Sequence, residues 1–196
     1  MTIKFKALPV MMAPVDTILM RPAELPVNRV SVQNPAIDVM TDLARKSAMT
    51  VEPNLSIENA EERMRNSHVR LLFVLSASGD LMGLVTLNDI EGMRPMKFQQ
   101  EMGISRNEVL VRDVMTSLDK LEALAMSDVA EACVGDIIET LKRTGRQHAI
   151  VVEDAAAGPA IRGIFSATSI GRQLGIALNT SGIAWTFAEL ETALTH

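Results

Sequence analysis

The chain repeats itself once. Asp38-Val39-Met40-Thr41 recurs 75 residues later as Asp113-Val114-Met115-Thr116. Gly83-Leu84-Val85-Thr86-Leu87-Asn88-Asp89-Ile90 recurs 80 residues later, weakened, as Gly163-Ile164-Phe165-Ser166-Ala167-Thr168-Ser169-Ile170. Between these anchors both copies carry the same order of patterns: a polar turn, an amphipathic helix, a β-rich run, a glycine-containing turn, a second β run and a short helix. A unit this long, present only twice, predicts a pseudo-symmetric pair of supersecondary units burying faces against each other, not a long solenoid.

Composition narrows the class. Of 196 residues 47% are hydrophobic, ample for the core of one compact module of two halves. No run approaches the roughly 18 consecutive apolar residues of a membrane span, so no membrane partner is expected. The apolar stretch after Lys4-Phe5-Lys6 is broken by Pro9, Pro14 and Asp16 without a small-residue cleavage pattern, and is not read as an export signal. A net charge of -5, 3% aromatic residues and no Tyr argue against nucleic-acid binding, which needs a basic stripe and rings for base stacking. The single cysteine, Cys133, cannot form an internal disulfide, and a cytoplasmic setting fits. The 13 methionines are scattered like adaptable packing residues, not grouped like soft-metal ligands.

The expected organisation is an N-terminal arm over 1–35, a first repeat over 36–92, a linker over 93–111, a second repeat over 112–176 and a terminal helix over 177–196. Pro9, Pro14, Pro22, Pro26 and Pro35 make the arm extended, packed on the module or on a partner chain. In the first repeat, Ile57, Ala60 and Met64 follow Ser56 at helical spacing, predicting a helix over 56–67 with Ser56 as its N-cap. Arg70–Leu75 reads as a buried strand, with a turn over 76–80 and a second strand Leu81–Val85 delivering the chain to Thr86. The second repeat predicts a helix Val134–Thr144 stopped by Gly145, strands Gln147–Val152 and Ile161–Phe165 around a longer Ala-Gly-Pro turn, and a short helix to about Leu174. In the linker, Pro95–Met102 predicts a helix closed by Gly103, and Ser105 with Glu108 has capping-box spacing. Thr186 with Glu189, and Trp185 with Leu190, carry the box and staple signature of a terminal helix with an apolar stripe of Phe187, Leu190 and Leu194.

The chemistry-bearing motif is glycine, two hydrophobes, Thr, two residues, Asp. It puts a hydroxyl at the end of a strand and a carboxylate about one helical turn later, at a junction whose exposed N–H groups suit a phosphate. Thr86 would then meet a phosphate oxygen, and Asp89, acceptor-only with two oxygens, the paired hydroxyls of a ribose. The same spacing is also that of a capping box, in which Thr86 and Asp89 only satisfy the first N–H groups of a helix.

Taken with the duplication and both Asp-Val-Met-Thr segments, the residues over 36–176 resemble paired cystathionine β-synthase (CBS) domains, the Bateman module. The resemblance implies an α+β fold of two β-α-β-β-α repeats about a pseudo-twofold axis, and clefts between the repeats for adenosine-containing ligands: AMP, ADP, ATP or S-adenosylmethionine. It implies a homodimer and regulation by ligand binding, not turnover. In its pattern Thr86 is the phosphate-contacting hydroxyl and Asp89 the ribose-binding carboxylate. Ala48 and Met49 fall in the base-contacting segment, and Arg70 and Leu71 where the chain enters the central strand beside the ligand. The second repeat departs, since Ser166 keeps the hydroxyl but Ser169 stands where Asp is expected. Unequal sites follow, the one with Asp89 being stronger. Arg70, Arg146 and Arg172 are the candidate phosphate cations.

Other chemistries find less support. His68, His148 and His196 lie far apart in sequence and neither His68 nor His148 has metal-ligand spacing, no nucleophile elbow or Walker loop occurs, and Cys133 has no evident base partner, so neither a metal nor a catalytic residue is expected. Asp38 and Asp113 each precede a Val-Met pair suited to burial, which assigns them to turn or capping hydrogen bonds. The expected function is a non-enzymatic sensor of an adenosine-containing ligand acting on an effector protein. The alternative is a structural dimerisation module with empty clefts.

Overall fold

The computed structural model describes residues 30–175, together with Met12. The proline-rich arm before residue 30, Met12 apart, and the helix expected over 177–196 lie outside the described residues. Residues 36–39 make one 3-10 turn that buries Ala36 and Val39, followed by β1 (Thr41–Asp42) and β2 (Thr50–Val51). Then comes α1 (Ile57–Asn66), whose N-cap Ser56 accepts the Asn59 N–H at 3.3 Å and which buries Ile57, Ala60 and Met64. β3 (Leu71–Leu75) and β4 (Leu81–Thr86) form the first hairpin and feed α2 (Leu87–Glu91).

In the linker, α3 (Met93–Met102) ends on Gly103 in the left-handed conformation, and Ser105 and Glu108 form the expected capping box. The second repeat runs α4 (Val111–Val114), β5 (Thr116–Ser117), β6 (Ala123–Ala125), α5 (Met126–Glu131), α6 (Val134–Thr144), β7 (His148–Ala155), β8 (Gly158–Ser166) and α7 (Ala167–Gln173). α5 has no counterpart in the first repeat. It is held by Val129, which packs into the second core. The second hairpin also runs longer than its apolar residues predicted, with pairing continuing to Ala155 and Gly158. Gly145 ends α6 at φ 65°, and the matching place after α1 is taken by His68 at φ 53°, uncommon for a residue with a side chain.

The strands form two four-stranded sheets, in the orders β2-β3-β4-β5 and β1-β8-β7-β6. Each repeat therefore gives its first short strand to the other repeat's sheet. Thr41 pairs with Ile164 and Asp42 with Gly163, while Thr116 pairs with Leu84 and Ser117 with Gly83, so the two crossings are pseudo-twofold counterparts. The backbone before each crossing follows. Residues 30–36 bond to the second half through Ala36 N–H to the Ala132 carbonyl (2.9 Å) and Val134 N–H to the Asn34 carbonyl (2.9 Å). Residues 109–112 bond to the first half through Ile57 N–H to the Val109 carbonyl (3.0 Å) and Val111 N–H to the Leu55 carbonyl (2.9 Å). Each half has its own core, one around Leu72, Val85, Ile90 and Met64, the other around Phe165, Ile138, Leu141 and Ile170. Among the described residues no helix is long and apolar enough to cross a membrane.

Glycine at positions 83 and 163 is explained by these crossings. A Cβ on Gly83 would sit 2.1 Å from the Thr116 carbonyl oxygen, a backbone atom that cannot step aside; one on Gly163 would meet the Met40 sulfur at 2.5 Å, on a side chain that can. Gly83→Ala is expected to cost at least about 1–3 kcal/mol in urea denaturation, and Gly163→Ala clearly less. Equal losses would contradict this account of the crossing.

Candidate functional site

An apolar seam joins the two sheets, with Leu71, Phe73, Leu84 and Ile150 buried in it. Two clefts open along the seam and share Leu71 and His148 as wall. The larger, of about 700 Å³, takes Thr86, Asn88 and Asp89 from the end of β4 and from α2, and Arg94, Lys97, Phe98 and Glu101 from α3. The second repeat adds Lys120, Leu121, Glu122, Arg146 and Gln147. The smaller, of about 300 Å³, combines Ser47, Ala48, Met49, His68 and Arg70 with Ser166, Thr168, Ser169 and Arg172.

In the larger cleft the box is closed. Asp89 Oδ2 accepts the Thr86 N–H at 2.9 Å and the Thr86 hydroxyl at 2.7 Å, while Thr86 Oγ1 accepts the Asp89 N–H at 3.3 Å. Asp89 Oδ1 pairs with Arg94 at 2.8 Å. The same guanidinium nitrogen donates to the Val114 carbonyl at 2.8 Å and to Thr116 Oγ1 at 3.3 Å, so Arg94 ties α2 to the incoming β5 segment. Arg146, opposite, pairs with Glu122 at 2.9 Å. The second junction is built differently. The Ser166 side chain makes no capping bond to α7, and Ser169 Oγ accepts from Gln173 Nε2 at 3.3 Å.

Residues 38–91 match the sequence profile of the CBS domain family. The fold is similar to that of an uncharacterized conserved protein from Pyrococcus horikoshii, 19% identical, over 77% of this chain and 99% of that one, with a TM-score of 0.53. A CBS-domain containing protein from Agrobacterium tumefaciens is 19% identical over 77% of this chain and 98% of its own, with a TM-score of 0.50. Over residues 38–91 the chain is thus similar to a CBS domain, and its fold is that of a tandem CBS pair. No curated protein sequence matches it. The CBS-pair protein CBSX2 from Arabidopsis thaliana, solved in complex with AMP, is 22% identical over 71% of this chain and 94% of its own, with a TM-score of 0.47.

Within the CBS pair, the residues read from the sequence divide between the clefts. Thr86 and Asp89 line the larger; Ala48, Met49, Arg70, Ser166 and Ser169 line the smaller; Leu71 lines both. Residues of one repeat part company because its β4–α2 junction faces one cleft and its approach to β2 and β3 the other. Leu71 pairs with Thr86 as His148 pairs with Ser166, and Thr50 pairs with Phe73 as Ala123 pairs with Ile150. By that register Leu121, Glu122 and Gln147 hold in the larger cleft the places of Ala48, Met49 and Arg70 in the smaller. Of the expected cations, Arg146 lies in the larger cleft and Arg70 and Arg172 in the smaller. Asp113 accepts the Leu110 N–H at 2.9 Å, the local role expected of it, and Asp38 is exposed. Among the described residues no group of His, Cys, Asp or Glu is placed to hold a metal.

Sequence reasoning missed Arg94, Lys97 and Lys120, which reach the cleft from segments with no motif, and it missed the place of His148. The signal for His148 was available: it stands at the register position that the other repeat fills with Leu71. Burial pushes its pKa down from 6.5 to about 4, the positive charge of Arg70 adds to the shift, and Asp89 opposes it. Below pH 6.5 the unfolded chain binds a proton that the folded chain refuses until about pH 4, so stability is lost as pH falls through that window. Between pH 7 and pH 5 the loss from this group should be about 2 kcal/mol. His148→Leu, the residue type of its counterpart, should remove it. Urea midpoints for both proteins at the two pH values check this; an unchanged difference would rule out His148 as the source.

Proposed function

We propose that this CBS pair is a regulatory module whose larger cleft binds an adenosine-containing ligand. The observation that supports this reading is the meeting of Thr86 and Asp89 with four cationic side chains, Arg94, Lys97, Lys120 and Arg146, around one cavity of about 700 Å³. That volume suits a nucleotide-sized ligand. Apolar Leu71, Leu84, Leu121 and Ile150 supply a surface for a base, the cations a field for phosphates, and the Asp89 carboxylate an acceptor for a ribose diol.

Asp89 Oδ1 is the atom on which binding turns. A diol that takes it displaces Arg94, which then turns to the phosphate. Its release also breaks the bonds to Val114 and Thr116, loosening α3 from the β5 segment. Ligand occupancy thereby biases the arrangement of the two halves by as much as the ligand prefers one arrangement over the other. Met93 and Met96, flanking Arg94 on α3, are exposed at 62% and 49% and give that change a route to another chain, a second copy or an effector.

One observation favours a second reading, that of a structural interaction module: Thr86 and Arg94 already occupy both oxygens of Asp89. Calorimetric titration with AMP, ADP, ATP and S-adenosylmethionine separates the two. For the ligand-binding reading, Asp89→Ala should weaken the best ligand roughly 10- to 100-fold, the equivalent of about 1.5–3 kcal/mol, while Ser169→Ala leaves it nearly unchanged. Because Asp89→Ala also removes a helix cap worth about 1 kcal/mol, the titration is made well below its melting temperature. Heat signals absent for every ligand would leave the structural reading standing.

A further inference from the structure

The smaller cleft is not a reduced copy of the larger. Asp89, Glu101, Asp113 and Glu122 line the larger cleft, whereas no Asp or Glu is found among the described residues lining the smaller. What lines it instead is Arg70 and Arg172 together with the hydroxyls of Ser166, Thr168 and Ser169. We propose that this cleft is a separate site for a compact tetrahedral oxyanion, inorganic phosphate or a small phosphate monoester.

Three features converge. Ser169 occupies the place of Asp89, so the acceptor pair that would hold a ribose diol is replaced by a hydroxyl, a group that donates to an anion as readily as it accepts. The Ser166 side chain makes no capping bond, unlike Thr86, whose hydroxyl is committed to Asp89. Guanidinium groups bind phosphate oxygens through paired, charge-assisted hydrogen bonds, and a lining without carboxylates sets no like charge against the ligand. The volume, about 300 Å³ against about 700 Å³, selects for a smaller ligand. The proposal is independent of the adenosine reading of the larger cleft.

The test is calorimetric titration of the full chain with inorganic phosphate, glycerol 3-phosphate and adenosine. The parent should bind phosphate, and adenosine should not displace it. Arg172→Met, at an exposed position, should weaken phosphate about tenfold or more. Ser169→Asp should abolish binding by placing a carboxylate against it, and Arg63→Met, exposed on α1 outside both clefts, should leave it unchanged. Tighter binding of glycerol 3-phosphate than of phosphate supports a monoester as the natural ligand, and weaker or equal binding supports the free ion. Absence of phosphate binding, displacement by adenosine, an unaltered Ser169→Asp variant, or a loss in the Arg63→Met variant equal to that in Arg172→Met would overturn the proposal.

Discussion

The structure depends on two short strand crossings. Each is only two residues long, yet each closes the edge of a sheet whose other strands come from elsewhere in the chain. A two-residue strand contributes little hydrogen bonding alone; it is held because the turn before it is buried, with Ala36 and Val39 on one side and Val111 and Val114 on the other. An arginine ties each crossing from the side. Arg162 pairs with Asp42 at 3.1 Å, and Arg94 bonds Val114 and Thr116. The clefts are a product of this exchange, which draws the sheets together along the Leu71, Phe73, Leu84 and Ile150 seam and sets residues of both repeats around each hollow.

Duplication supplied two equivalent frames, and substitution made them chemically different. The larger cleft keeps the Thr-Asp pair and balances four cations with four carboxylates; the smaller has lost the acid and lines itself with hydroxyls and arginines. The shared wall is itself unequal, with Leu71 in it from one repeat and its counterpart His148 from the other. An imidazole kept neutral by burial costs little in such a seam, whereas a protonated one would sit near Arg70. The wall therefore separates the two fields without adding a charge to either at neutral pH.

Much of this was legible in the sequence where the controlling interaction is local. Ser56, Gly103, Gly145 and the Ser105–Glu108 pair act over three or four residues, and the helices they bound fall where spacing put them. α5 escaped because Ala125 offers it no side-chain cap, and the far end of the second hairpin because Ala155, Gly158 and Pro159 are poor strand formers. The strand exchange was not legible: two-residue strands carry no periodicity, and the pairing of Thr41 with Ile164 spans most of the chain. At the clefts, spacing picked out Thr86 and Asp89, which line the larger one, but the same spacing serves a cap and a ligand equally, and only the folded geometry shows the cap made. Arg94 reaches Asp89 after the bend at Gly92, a geometry with no sequence rule behind it.

The crossings also bear on how the chain comes off the ribosome. Thr41–Asp42 emerges long before Gly163–Ile164 exists to receive it, and the first hairpin waits for Thr116–Ser117 before its outer edge is covered. The first sheet can close once residue 117 is made, whereas Thr41–Asp42 stays unpaired until the last strand is made, so nascent intermediates carry an unsatisfied strand until late in synthesis. The same arrangement lets a neighbouring polypeptide supply the missing strand, making an interlocked pair of chains the natural misfolded product.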